Sequence, residues 1–193
     1  CAVFYLKDSL ELVGSKTYWL KPGSINTKSR QDDCTKFRIA TCVTFKRKST
    51  GSKFVHINTH LENDAKTTSG LVREDEVRAL AEIIDDYIGT SGLPWAMTAD
   101  YNTGEDDPIF DILYNGYNMK SARAEAHRSD NKYTYNGFGS SSSNQWDHVF
   151  YSSGENRFDA REFATVTKKW AGVTYISDHY PVYAILKFNT IRK

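Results

Sequence analysis

Four strand-like stretches of this sequence carry residues that can do chemistry: Asn58-Thr59-His60, Asp100-Tyr101-Asn102, Asp147-His148 and Ser177-Asp178-His179. If these strands share a sandwich, they converge at one rim, where scaffolds hold functional groups. The combined inventory of His, Asp and Asn suits phosphoester hydrolysis with a hard divalent metal. Carboxylate oxygens hold Mg²⁺ or a similar ion. A carboxylate places the attacking water, and imidazolium and amide donors stabilise the charge growing on phosphorus. A histidine paired with an aspartate is held protonated and oriented. Zinc is disfavoured, because the sequence has no His-Glu-x-x-His and no Cys-x-x-Cys. Each residue also has a plain structural reading. Asp100 and Asn102 can cap the helix that follows. Asp147 can be a sheet-edge charge, and His60 a satisfied strand-end histidine.

The elements that must position these groups are mostly strands. After Asp178 and His179, Pro181 marks a strand entrance, since proline cannot donate to a central ladder. The strand beyond carries Val182, Ala184 and Leu186 on one face and Tyr183, Ile185 and Lys187 on the other. Earlier in the chain, Ala2 to Leu6, Leu10 to Val13 and Thr17 to Leu20 read as three short strands with Gly14-Ser15-Lys16 as a turn. Residues 21–35 form a polar loop. Lys36 to Lys46 and Phe54 to His60 are a hairpin pair. After a polar loop at 62–69 comes an amphipathic helix with Val77, Leu80, Ala81, Ile84, Tyr87 and Ile88 on its apolar face, stopped by Gly89 and Gly92. Trp95 to Ala99 is a short buried strand, Glu105 to Tyr114 a short helix, and Gln145 to Tyr151 and Phe158 to Thr167 further strands. Ser140 to Ser143 is a flexible loop tip. The order suggests two stacked sheets with helices outside.

At 193 residues the chain is expected to form a single domain spanning 1–193. Its 39% hydrophobic and 13% aromatic content is enough for a core rich in sheet. The net charge of +1 excludes the global basic field of a non-specific nucleic-acid binder. No apolar run is long enough to span a bilayer. Cys1, Cys34 and Cys42 give no disulfide framework; one bridge is open to them, and buried or incidental thiols are the favoured expectation. A serine hydrolase is disfavoured by the lack of a Gly-x-Ser-x-Gly elbow.

Asn58-Thr59-His60-Leu61, Asp100-x-Asn102, Trp146-Asp147-His148-Val149 and Ser177-Asp178-His179-x-Pro181 occur in the order and approximate spacing of the endonuclease/exonuclease/phosphatase superfamily. Thr134-Tyr135-Asn136-Gly137-Phe138 also resembles that family's segment before its late Asp. Ala2-Val3-Phe4-Tyr5 with Tyr18-Trp19-Leu20 resembles a bacterial branch, with which goes the expectation of a secreted or extracytoplasmic protein. The resemblance implies an α/β (α+β) DNase I-like β-sandwich flanked by helices. It implies a phosphoesterase dependent on Mg²⁺ or Mn²⁺, acting on nucleic acid, a phospholipid or a sugar phosphate.

The roles that follow are carried over from that resemblance. His179 resembles the histidine beside the scissile phosphate, and Asp147 the carboxylate paired with it. Asp178 resembles a metal-site carboxylate. Asp100 resembles the group that aligns or deprotonates the attacking water, Asn102 one that assists in holding the phosphate, and His60 the second phosphate-facing histidine. Arg38 and Tyr135 are candidates for substrate contact, by cation–phosphate pairing and by stacking. His56, His127 and His148 are expected to be structural or surface residues. Two departures stand out. Ala99 replaces the family's usual glycine. The family's early strands, with an Asn and a metal-binding Glu, have no counterpart, so an N-terminally truncated domain is expected, completed by a missing N-terminal segment or a partner chain. The alternative function is a catalytically inactive relative acting as a binding module.

Overall fold

The computed structural model describes residues 1–32, 34–63, 69–141, 143–154, 157–170 and 172–188. β1 (Leu10–Trp19), β2 (Ile39–Arg47), β3 (Lys53–His60), β4 (Trp95–Asp100), β5 (Met119–Ser121) and β7 (Asp147–Ser152) form one sheet, in the order β1-β2-β3-β4-β7-β5. β6 (Arg128–Ser129), β8 (Phe158–Thr165) and β9 (Val182–Phe188) form a second sheet, β6-β8-β9. The helices are α1 (Ser69–Tyr87), α2 (Asp111–Gly116) and α3 (Ala122–Glu125). This is a DNase I-like α/β sandwich with helices outside.

Two cores follow from the period-2 alternation of the strands. On one face of the large sheet, Ala40, Cys42, Val55, Ile57 and Met97 pack with Val77, Leu80 and Ile84 of α1 and Ile88 just past its end. On the other face, Ala96, Val149 and Tyr151 meet Phe158, Ala160 and Phe163 of the second sheet, with Val182, Ala184 and Leu186 beside them. β9 thus half-buries the Val182, Ala184 and Leu186 face and exposes Tyr183 and Ile185. An apolar cavity of about 500 Å³ remains between the sheets, lined by Leu6, Leu10, Phe54, Phe158, Leu186 and Phe188 among others.

The early strands differ from the sequence expectation. Leu10 to Trp19 is one strand, and Gly14-Ser15-Lys16 lies inside it rather than in a turn. A register shift between Leu12 and Gly14 takes up one residue. Such a bulge is where a strand tolerates glycine. The Gly14 carbonyl accepts a hydrogen bond from Tyr87 Oη of α1 at 3.1 Å. Ala2 to Leu6 forms no strand. It has no ladder partner among the described residues. The Tyr5 ring lies 4.9 Å from Phe45, while Phe4 and Leu6 stay exposed. The predicted helix after Glu105 starts later, as a 3₁₀ turn at Pro108–Phe110 capped by Asp107 and continued by α2. Gly89 and Gly92 end α1 with positive φ, as read from the sequence. Part of the 62–69 loop and Ser142 of the serine run lie outside the described residues. All three cysteines are free thiols. Among the described residues no helix is long and apolar enough to cross a membrane.

Candidate active site

Strand register builds the site. β3 and β4 run parallel, with His60 beside Asp100. β4 and β7 run antiparallel, with Asp100 opposite Asp147. His60, Asp100 and Asp147 therefore stand in one row across three adjacent strands, on the face turned to the second sheet. The alternation sends the next residue of β7, His148, to the other side. There it is buried, stacks 5.6 Å from Phe150 and bonds the Thr103 carbonyl at 3.0 Å. His56, lower on the inner face, bonds Thr98 Oγ1 at 3.0 Å. His127 lies beside Arg161 on the surface. All three histidines are thus placed as expected.

His179 reaches this row from the loop before β9. Its Nδ1 bonds Asp147 Oδ2 at 2.7 Å, and its Nε2 lies 3.5 Å from Asp100 Oδ2. The bond to Asp147 raises the proton affinity of His179, against burial, with further help from the charge of Asp147, Asp100 and Asp178. His60 Nε2 approaches the same Asp100 oxygen at 3.4 Å. Burial first, then the positive charge of Arg38 and His179, lowers His60 to about 4, so it is neutral at pH 7. Asp100 is raised to about 6, by burial first and then by the facing Asp147. The cleft thus offers an imidazole with raised proton affinity, a neutral imidazole and a carboxylate poised near neutrality.

Asn102 has φ 54°, a left-handed conformation that asparagine tolerates. Its N–H donates to Asp100 Oδ1 at 2.9 Å and its Nδ2 to the Leu61 carbonyl at 3.0 Å. It ties the end of β4 to the end of β3. Tyr135 bridges the backbone of His179. Its ring stacks on Trp146 at 4.6 Å and meets His179 edge-on at 5.0 Å. Arg38 is held near the rim by Glu62. The Asp178 side chain contacts Ser177 Oγ at 3.3 Å. The ligand atoms that gather within 4.8 Å belong to Asp100, Asp147 and His179.

Two positioning residues carried no signal of their own in the sequence. Thr134 is fully buried, and its Oγ1 accepts the N–H groups of Trp146 and Asp147, each at 3.0 Å. Asn136 is also buried. Its Nδ2 donates to the Ser177 carbonyl at 3.2 Å, while the N–H groups of Asn136 and Gly137 bond the Asp178 carbonyl. Together they lock the Asp147 strand to the His179 loop. The only pointer was their place in the Thr134–Phe138 segment.

No family model matches the sequence, and no curated protein matches it. Solved structures do. A mannosyl-6-phosphatase of Bacteroides thetaiotaomicron superposes with a TM-score of 0.83 at 23% identity, over 95% of this chain and 69% of that one. An endonuclease/exonuclease/phosphatase from Bacteroides vulgatus gives 0.78 at 25% identity, over 96% of this chain and 69% of that one. This chain has the endonuclease/exonuclease/phosphatase fold. The human Nocturnin catalytic domain, solved with a bound sulfate anion, gives 0.71 at 17% identity over 96% of this chain and 62% of that one. In this endonuclease/exonuclease/phosphatase fold the row of His60, Asp100 and Asp147, with His179 above it, occupies the strand ends.

Proposed function

We propose that the protein hydrolyses phosphate esters with the help of a divalent cation, Mg²⁺ or Mn²⁺. The observation that carries this reading is the convergence of His179 on Asp147 at 2.7 Å and on Asp100 at 3.5 Å, with His60 reaching the same Asp100 at 3.4 Å. His179, kept protonated by Asp147, donates to a phosphoryl oxygen and stabilises the charge that grows there. Asp100, with its proton affinity set near neutrality, aligns a water and accepts its proton. His60 stays neutral and holds a second phosphoryl oxygen through an N–H. Asn102 keeps the two strand ends in place, and Tyr135 walls the site on the His179 side.

The donor set fits a hard cation. Two carboxylates face each other, and their repulsion contributes to the raised Asp100. A divalent ion offsets that repulsion and favours oxygen ligands. Asp100 and Asp147 would hold it, with Asp178 close by on the same loop as His179. His179 is bonded to Asp147 and serves better as a proton donor than as a ligand. When bound, the ion polarises the phosphoryl group.

The substrate is a phosphomonoester or phosphodiester of a sugar, a nucleic acid or a phospholipid. A panel of these with Mg²⁺ tests the proposal. Wild-type protein should turn over at least one class, and His179→Ala should not; equal rates for the two would refute it.

A further inference from the structure

Outside the catalytic row lies a buried charged cluster, in the chain just beyond His60. The Glu62 side chain is 3% exposed and that of Arg38 12%. Arg38 meets it side-on, Nε to Oε2 at 3.5 Å and Nη2 to Oε1 at 3.4 Å. Arg38 Nη2 also bonds Asn63 Oδ1 at 3.3 Å. The backbone of Glu62 is fixed to α1 at both ends: its N–H donates to Glu76 Oε2 at 2.8 Å, and its carbonyl accepts from Arg73 Nη1 at 3.1 Å. Lys36 adds a second cation 3.4 Å from Oε1. Glu76 is buried and raised to about 8, chiefly by burial, so it is neutral at pH 7 and does not compete for the guanidinium.

We infer that Glu62 is a positioning residue: it fixes the Arg38 guanidinium on the His60 side of the cleft, where Arg38 binds a phosphate oxygen of the substrate. This rests on the phosphoesterase reading above. The charge of Arg38 reaches both His60 and Asp100, lowering the proton affinity of each. Its Nε and Nη2 are engaged, while Nη1 has no hydrogen bond among the described residues. A guanidinium gripped on one side by a carboxylate presents its other donors in a fixed fork, suited to phosphate. Burying a carboxylate here is costly unless it is paired, and its pairing orients Arg38 where a lysine would remain mobile.

The test measures binding of inorganic phosphate by calorimetry, and Mg²⁺-dependent turnover of p-nitrophenyl phosphate and bis(p-nitrophenyl) phosphate. The proteins are wild type, Glu62→Gln, Glu62→Asp, Arg38→Ala and the Glu62→Gln/Arg38→Ala double variant. Glu62→Gln should weaken phosphate about tenfold and raise KM about as much, with kcat nearly unchanged. Glu62→Asp should recover part of the loss. The double variant should lose no more phosphate affinity than Arg38→Ala alone, because Glu62 acts on the phosphate through Arg38. A purely structural Glu62 would lower Tm while leaving phosphate affinity and KM at wild-type values, and that overturns the inference; so do additive losses in the double variant. If Glu62→Gln does not fold, Arg38→Lys decides, since lysine cannot span both carboxylate oxygens: a loss of about tenfold supports the inference and unchanged binding overturns it. Wild-type turnover with an unaffected Glu62→Gln variant removes this inference and leaves the phosphoesterase reading standing. A wild type that neither binds phosphate nor cleaves either ester removes both.

Discussion

Asp147 stands directly opposite Asp100 across β7 and β4, yet it spends its hydrogen bond on His179, at 2.7 Å. One carboxylate thus charges a histidine while its negative charge presses on the other carboxylate. The two effects set opposite limbs of a pH profile. His179 must be protonated, so activity falls as pH rises through its raised value. Any stability that His179 contributes is likewise present below about 6.5 and lost as pH rises through the folded-state value. Asp147→Asn should move the alkaline limb toward acid and cut kcat about 10²-fold or more. Proton NMR titration of the His179 ring checks the shift directly; an unmoved titration contradicts it.

Asp100 supplies the acid limb; its cation-free value of about 6 is an upper bound for half-activity, because a bound cation offsets the facing Asp147 and moves the limb toward acid. Its folded-state value lies above the unfolded one. It therefore favours folding only at low pH, and the benefit is lost as pH rises through about 6. At pH 7 the ionised group is a burden of roughly 2 kcal/mol. Asp100→Asn can still accept the Asn102 N–H and removes the burden. Thermal unfolding at pH 7 should show Tm raised by about 5 °C, with activity abolished. A lowered Tm would count against the electrostatic account.

Cation binding is separable from turnover. After chelation, adding Mg²⁺ or Mn²⁺ to the wild type should raise Tm, by about 2.7 kcal/mol of stability at a hundredfold excess over Kd. Asp100→Asn and Asp147→Asn should lose most of that shift. An equal shift in all three proteins would place the cation elsewhere.

Asn102 separates backbone from side chain. Asn102→Ala keeps the backbone bond to Asp100 Oδ1 but must hold φ 54° with a Cβ and without the polar side chain, and should cost about 1–2 kcal/mol. Asn102→Gly accepts the angle and should stay closer to wild type in stability. Both lose the Nδ2 bond to the Leu61 carbonyl, so both should lose activity. Denaturant melts beside rate measurements distinguish the two; an active Asn102→Gly would confine the residue to a turn role.

Thr134→Val keeps the shape of the side chain but strands the N–H groups of Trp146 and Asp147. The expected cost is about 1–3 kcal/mol. Kcat should drop as the Asp147–His179 pair loosens. Thr134→Ser, which keeps the hydroxyl, should restore both. Failure of serine to restore them would point to packing instead.

Much of this was legible in the sequence because of how strands end. His60, Asp100 and Asp147 sit at the ends of apolar runs, and Pro181 marked the entrance to β9. What the sequence hid were contacts between distant loops. Thr134 and Asn136 lie in an irregular stretch without periodicity, and the Asn136 side chain finds its partner 41 residues away. Glu76 fell on neither the apolar nor the charged face of the predicted helix, because its burial depends on the chain after β3 folding over it. Gly14 misled for a physical reason: glycine marks turns far more often than bulges, and only the Tyr87 hydroxyl from α1 explains why the strand runs on through it.

The row of His60, Asp100 and Asp147 also makes the site a gauge of strand register. A slip of one residue in β7 would present His148 where Asp147 belongs and leave His179 without its partner. The three row residues are far apart in sequence, and pairings of that kind form late, after the entropy of closing long loops has been overcome. During refolding, regained activity should therefore trail regained helix and strand signal. The catalytic row reports the moment the topology is complete.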